Sequence, residues 1–297
     1  MATPLASTIT EDRITAAQSP VRIFFRKFWR VLMNATMFLY AITAIYPILW
    51  MIYSSMKTEE EFARNIFSLP SSINFNNFVT ILTGGAFFRA LFNSVFASVI
   101  SIVFIVCFAF MIGYVLARFE FKGRRFIYVF FLFGMMVPVY ALLVPIFLEF
   151  KLIGMYNNQF SIILPMIAFE LSGAIFLFES YIRSIPTEIE EAAFIDGANL
   201  NTILLRVIFP ICMPIVVTVL ILTFLWTWNA FAFPLVLLRS QELKTIPLWL
   251  NTFQGERSTN YTAMMSALVL ASLPVIAVYL AFREKIMQGM VAGAIKG

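Results

Sequence analysis

Residues 91–117 read LFNSVFASVISIVFIVCFAFMIGYVLA and contain no Asp, Glu, Lys or Arg. About 20 such residues suffice to cross the hydrocarbon core of a bilayer as a helix. Lipid offers the backbone no hydrogen bonds, so a spanning segment must satisfy its own, as a helix or in a closed barrel. The unbroken apolar run points to the helix.

Outward from this stretch the same reading recurs at 31–53, 126–148, 160–181, 207–238 and 263–282. The segment 207–238 is long enough for tilt or a break. The expectation is an all-α polytopic membrane protein with about six transmembrane helices. Composition agrees, at 61% hydrophobic and 12% charged residues, against about half and a quarter in soluble domains. Prolines punctuate the later spans at Pro138, Pro145, Pro165, Pro210, Pro214, Pro234 and Pro274. Each removes a backbone donor and tends to kink its helix, and irregular membrane helices often line cavities.

Six spans define two sets of flanks, and cytoplasmic loops retain Lys and Arg. The set made of the N-terminal segment, the loop at 118–125, the loop at 182–206 and the C-terminal tail holds 14 of the 21 basic residues. Both termini are therefore expected in the cytoplasm, and the net charge of +5 reads as an orientation signal. A nucleic-acid surface would need those charges on one soluble face. The division expected is a cytoplasmic segment at 1–30, a permease domain at 31–283 and a tail at 284–297. In the first of these, VRIFFRKFWR at 21–30 interleaves basic and aromatic residues, as an interfacial helix on the inner leaflet or as snorkelling flanks of the first span. The preceding residues lack the pattern of a cleavable signal peptide. Cys107 and Cys212 fall in apolar stretches and read as small core residues. With no histidine in the chain, metal catalysis is disfavoured, because the commonest metal ligand is missing.

The loop at 182–206, IRSIPTEIEEAAFIDGANLNTILLR, is too long and too patterned for a simple turn. Thr187 and Glu190 fit a capping box, and Glu188, Glu190 and Glu191 suit the positive end of a helix dipole. Gly197 fits the helix stop, and Asn199 the cap of a second helix. The result is a two-helix elbow presenting Ile189, Ala192 and Ala193. Such a face suits a partner's groove, or equally a membrane surface.

Glu191-Ala192-Ala193, Asp196-Gly197-Ala198 and, after eight intervening residues, Val207, Phe209 and Pro210 resemble the EAA loop of importer permeases in the ATP-binding cassette superfamily. Val207 and Phe209 stand where isoleucine and leucine are usual. Trp228-Asn229 and the tail GMVAGAIKG at 289–297 are similar to carbohydrate-importer permeases of the maltose MalG type. The resemblance implies a type I importer permease in the bacterial inner membrane. It implies a second permease subunit, a cytoplasmic ATPase dimer that holds the ATP and magnesium, a solute-binding protein and a carbohydrate substrate, with no cofactor on this chain itself. It makes Glu191, Ala192, Ala193, Asp196 and Gly197 the ATPase-coupling site and Gly293, Ala294, Lys296 and Gly297 a tail contact. Gln254, Gly255 and Asn260 become the tip of the loop toward the binding protein, and Trp228 and Asn229 residues of the substrate pathway. Gly289 and Gly293 also have the spacing of a helix-packing motif.

The chain has no phosphate-cradling G-x-x-x-x-G-K-[ST] loop, so it is read as a transport subunit and not as an enzyme. Glu170 lies mid-span, where an ionisable group is costly and marks a candidate site: it hydrogen-bonds substrate, pairs with a neighbouring helix, or couples ions. The last belongs to an alternative in which the chain is an ion-driven secondary transporter. A further alternative is a non-transporting scaffold that docks a cytoplasmic partner. Glu179 is read as interfacial.

Overall fold

A computed structural model of the chain describes the backbone of residues 20–254 and 260–294, and the side chains of 24–254 and 260–283. Residues through Tyr53 and residues from Ser54 onward form two separate compact units. The first unit is carried by α1, Pro20–Ser54. Thirty-five residues at the α-helical rise make a rod about 50 Å long, longer than a bilayer's hydrocarbon core. The basic and aromatic run at 21–30 is thus no separate helix but the opening turns of α1.

The second unit is a helical bundle with short surface helices α2 (Glu59–Arg64) and α3 (Asn76–Thr83) at its start. α4 (Ala86–Arg118) and α7 (Gln159–Arg183) form its most closely packed pair. Lipid is as apolar as leucine, so helices there associate through close backbone approach at small residues. α4 supplies Ala90, Ser94, Ala97, Ser98, Ser101, Ala109 and Gly113 on its buried face. At Gly113 a Cβ atom would lie 2.8 Å from Phe178 Cβ and 3.0 Å from the Glu179 nitrogen. The opposite stripe of α4, with Val103, Phe104, Phe108 and Met111, is exposed. Cys107 lies on that stripe, which corrects its reading as a core residue: helical periodicity turns it away from Ile105 and Ala109, and an apolar solvent exacts nothing for it. Cys212 is buried as expected.

Two of the six expected spans are broken. α5 (Arg124–Met136) and α6 (Val139–Leu152) meet at 98° across Pro138. The segments α9 (Leu200–Ile211) and α10 (Met213–Trp228) meet at 73° across Cys212. At the first break Val137 is extended, as the residue before a proline prefers, and Pro138 has no N–H to continue the ladder. α5 stays on α7, where a Cβ on Gly134 would stand 2.6 Å from the Ser172 hydroxyl. α6 turns aside to pack on α11, Ala232–Leu237. Pro145, Pro165 and Pro274 lie inside continuous helices. After α12 (Ile246–Leu250) the last helix, α13, runs from Tyr261 to Ala294, well beyond the span expected at 263–282. Among the described residues, four helices are long and apolar enough to cross a membrane, or up to six if each bent pair is one span. α10 packs on α4, α7 and α13 and completes the core.

Candidate functional site

The elbow consists of α8, Glu188–Ile195, and the start of α9. α8 ends at Gly197, whose φ of +83° is the left-handed conformation that glycine takes without steric cost. The Ala198 N–H donates to the Ala193 carbonyl and the Gly197 N–H to the Phe194 carbonyl, both at 3.0 Å. This paired closure satisfies carbonyls that the helix end would otherwise leave open. Asn199 then caps α9 by accepting the Thr202 N–H through Oδ1 at 2.9 Å. Both of these devices were legible in the sequence.

The expected capping box is not formed, because the Thr187 side chain makes no cap hydrogen bond. Glu190 is engaged elsewhere. Its Oε1 accepts from Arg118 Nε at 2.6 Å and its Oε2 from the Tyr114 hydroxyl at 2.8 Å. Arg118 also donates from Nη2 to the Ile185 carbonyl at 2.9 Å. A charge-assisted bond to a guanidinium is about twice as strong as a neutral one, so the carboxylate turns toward α4 and not back along its own helix. The Arg118 and Glu190 side chains are only 8% and 14% exposed. Tyr114 and Arg118, four residues apart, present both donors from one face of α4. Sequence reading counted Arg118 only as a topological charge.

This clamp decides what α8 shows to solvent. Glu188, Glu191, Ala192 and Ile195, one helical face by spacing, are exposed, while Ala193 is half-buried against the core beneath. Asp196 and Gly197 at the corner are exposed. All three acidic residues of the first turn stand at the positive end of the helix dipole. Past the elbow, Ile203–Ile208 form a π-helical turn, a wide form found frequently at functional sites. Ile203, Ile208 and Cys212 pack there against Phe110, Tyr114, Phe178 and Ile182.

A second feature lies where the two broken spans meet. Val139, Tyr140, Leu222, Leu225, Trp226, Asn229, Phe231 and Phe233 line a cavity of about 560 Å³. Asn229 is exposed there and donates from Nδ2 to the Leu225 carbonyl at 2.7 Å. Trp228 does not line it: it is 3% exposed and packs against Phe224 at 5.4 Å between ring centroids. Helical rotation puts Trp226 on the cavity side instead, a distinction that the dipeptide Trp228-Asn229 alone does not reveal. Glu170 is half-buried on α7, is not among the cavity residues, and makes no hydrogen bond or ion pair with any described residue. The expected pairing with a neighbouring helix is therefore absent among the described residues. Glu179 is buried within the protein and accepts a hydrogen bond from Arg183 one turn on.

At the far end of α4 and α7 the segment 237–246 is stitched down by amides. Asn157, at φ +58°, accepts the Arg239 and Ser240 N–H groups through Oδ1 at 2.9 Å. Asn93 donates from Nδ2 to the carbonyls of Glu242 at 2.7 Å and Lys244 at 3.0 Å. The Lys244 ammonium is pushed below its usual pKa by burial. Of the expected loop tip, Gln254 is exposed, Gly255 lies outside the described residues, and Asn260 caps α13 by accepting the Ala263 N–H at 2.8 Å. Gly293 and Ala294 are helical, while Lys296 and Gly297 lie outside the described residues.

A family model for the binding-protein-dependent transport system inner membrane component matches residues 109–291. A probable ABC transporter permease protein, YurM, of Bacillus subtilis is 35% identical over 263 residues, covering 88% of this chain and 87% of that one. The diacetylchitobiose uptake system permease protein NgcG of Streptomyces coelicolor is 32% identical over 265 residues, covering 89% and 88%. Among solved structures, a bacterial ABC transporter involved in the import of the acidic polysaccharide alginate aligns with a TM-score of 0.76 and 25% identity, over 95% of this chain and 99% of that one.

Proposed function

The chain belongs to the family of binding-protein-dependent transport system inner membrane components, multi-pass membrane proteins of the type I importer permease fold, and from that premise we propose that it is the permease subunit of an ATP-driven carbohydrate importer. In this reading the exposed face of α8 seats in a cytoplasmic ATPase, which carries the ATP and magnesium, and both termini lie on that side. A second permease completes the pathway, and a solute-binding protein docks at the opposite end on the loop at 239–261. The tail at 293–297 reaches the ATPase dimer.

One observation carries the reading: α8 is closed at its C-terminal end by the Gly197 turn and clamped to α4 through Glu190, yet leaves Glu188, Glu191, Ala192 and Ile195 uncovered. A push on that face reaches α4 through the ion pair and α10 through the wide turn of α9. Movement at the two breaks then opens the aromatic cavity to either side in turn. Carbohydrate is the substrate class favoured by relatives named for diacetylchitobiose and alginate, and by a cavity of aromatic rings with one amide. Ion-driven transport through Glu170 gains no support, since that carboxylate lies off the cavity. A bare scaffold gains none either, because the family is one of transport components.

The test is retention of an ATPase by the detergent-solubilised chain, compared with Gly197→Arg. No atom stands within 4 Å of a Cβ placed on Gly197, so the arginine meets only backbone strain of about 1–2 kcal/mol within the chain, and its bulk is felt by a docked partner. The expected result is an ATPase with the wild type and none with a folded variant. Absence of an ATPase from the wild type would overturn the importer assignment.

A further inference from the structure

α4 and α7 run unbroken between two loop systems. At one end Asn93 holds the Glu242 and Lys244 carbonyls, and the Ser94 hydroxyl accepts the Ile246 N–H at 2.7 Å. Gln159 at the start of α7 donates to the Leu243 carbonyl at 3.0 Å. At the other end Tyr114 and Arg118 hold Glu190 of the elbow. Asn93 and Arg118 are separated by about 37 Å of continuous α-helix, without proline, and Gly113 locks that helix onto α7.

These contacts are selective. Asn93 is 8% exposed and Ser94 3%, and their partners are backbone groups, so the grip fixes where the loop lies whatever its side chains are. Both ends of the helix are thus held by buried polar contacts, which resist slippage more than apolar packing does because breaking them strands unpaired groups. We infer that Asn93 is a positioning residue for ATP-coupled transport: through α4 it ties the loop at 239–246 to the elbow, so that a binding protein on the loop and an ATPase on the elbow bias one shared strut. The inference rests on the importer reading above.

The experiment uses the whole complex in liposomes, with the second permease, ATPase and binding protein present, and measures ATP hydrolysis with and without saturating sugar-loaded binding protein. Asn93→Ala is expected to keep its ATPase and its basal rate, while stimulation by the binding protein falls about tenfold, within the ordinary range of coupling free energies. Arg118→Gln is expected to lower stimulation as well. Distant independent sites combine additively, whereas two ends of one strut do not. The Asn93→Ala/Arg118→Gln pair should therefore lose no more stimulation than the worse single variant. Full stimulation of Asn93→Ala, or losses that multiply in the pair, would overturn the inference while leaving the importer reading intact. If Asn93→Ala fails to assemble, Ser94→Ala, which removes one acceptor, takes its place in the same cycle with the same two outcomes. A wild type that the binding protein does not stimulate overturns the importer reading itself, and the inference with it.

Discussion

Glu61 and Glu190 occupy similar sequence settings, each three residues after a threonine, and the structure uses them differently. Glu61 completes a capping box with Thr58 and also accepts the Ser71 N–H at 3.2 Å and the Ser71 hydroxyl. Glu190 abandons its own box for Arg118. Local pattern proposes the cap, and the partner that decides lies 72 residues away, beyond what a sequence pattern can see. Gly197 and Asn199, by contrast, were readable because their roles depend only on their neighbours. The Ser71 hydroxyl, then the Thr58 N–H, hold the Glu61 carboxyl below its usual range. A depressed acid stabilises the fold above its unfolded pKa and loses that contribution as pH falls through the folded value. Glu61→Gln is therefore expected to melt below the wild type by a constant margin from pH 7 to about 5, and the margin should close on further acidification below about pH 4, near the ordinary glutamate range. Thermal melts of both proteins in detergent across this range check it; a margin indifferent to pH would contradict it.

At the scale of elements, α4 and α7 emerge close to the limits that apolarity alone drew, 91–117 and 160–181, against Ala86–Arg118 and Gln159–Arg183. Their ends follow charge and caps, which are local. The breaks were harder to read. Seven prolines marked irregularity, yet Pro165 and Pro274 stay inside helices while Pro138 divides one, because the segments flanking Pro138 find different partners, α7 for one and α11 for the other. Close approach at glycine is similarly invisible in sequence. Gly113→Ala is expected to destabilise the chain by about 1–3 kcal/mol, the usual penalty of overpacking, since its Cβ meets backbone and a rigid Cβ. Gly173→Ala, half-buried in the interior of α7 with its Cβ meeting only Met135 Cε at 4.0 Å, should melt at or above the wild type, since alanine exceeds glycine by about 1 kcal/mol in a helix interior. Comparing the melting temperatures of the two variants tests the close contact directly.

For the whole molecule, the membrane class was expected from hydropathy, which is a sum over many residues and so survives local error. The lining of the cavity was legible only in part: Asn229 was named and Trp226 was not, because the lining is assembled from α6, α10 and α11. Orientation can be checked in a chain whose two cysteines are replaced by serine. A cysteine at Lys122 should react with an impermeant maleimide only in inside-out vesicles, and one at Ser68 only in right-side-out vesicles. The reverse pattern would refute cytoplasmic termini.

The π-helical turn at Ile203–Ile208 carries one residue more than the α-helix around it would hold. Moving that surplus past a residue shifts that one residue by about 1.5 Å and about 100° relative to the rest of the helix. The foot of the fifth span thus has a register of its own, one that can change by single residues on the near side of the 73° break at Cys212 that divides it from the head.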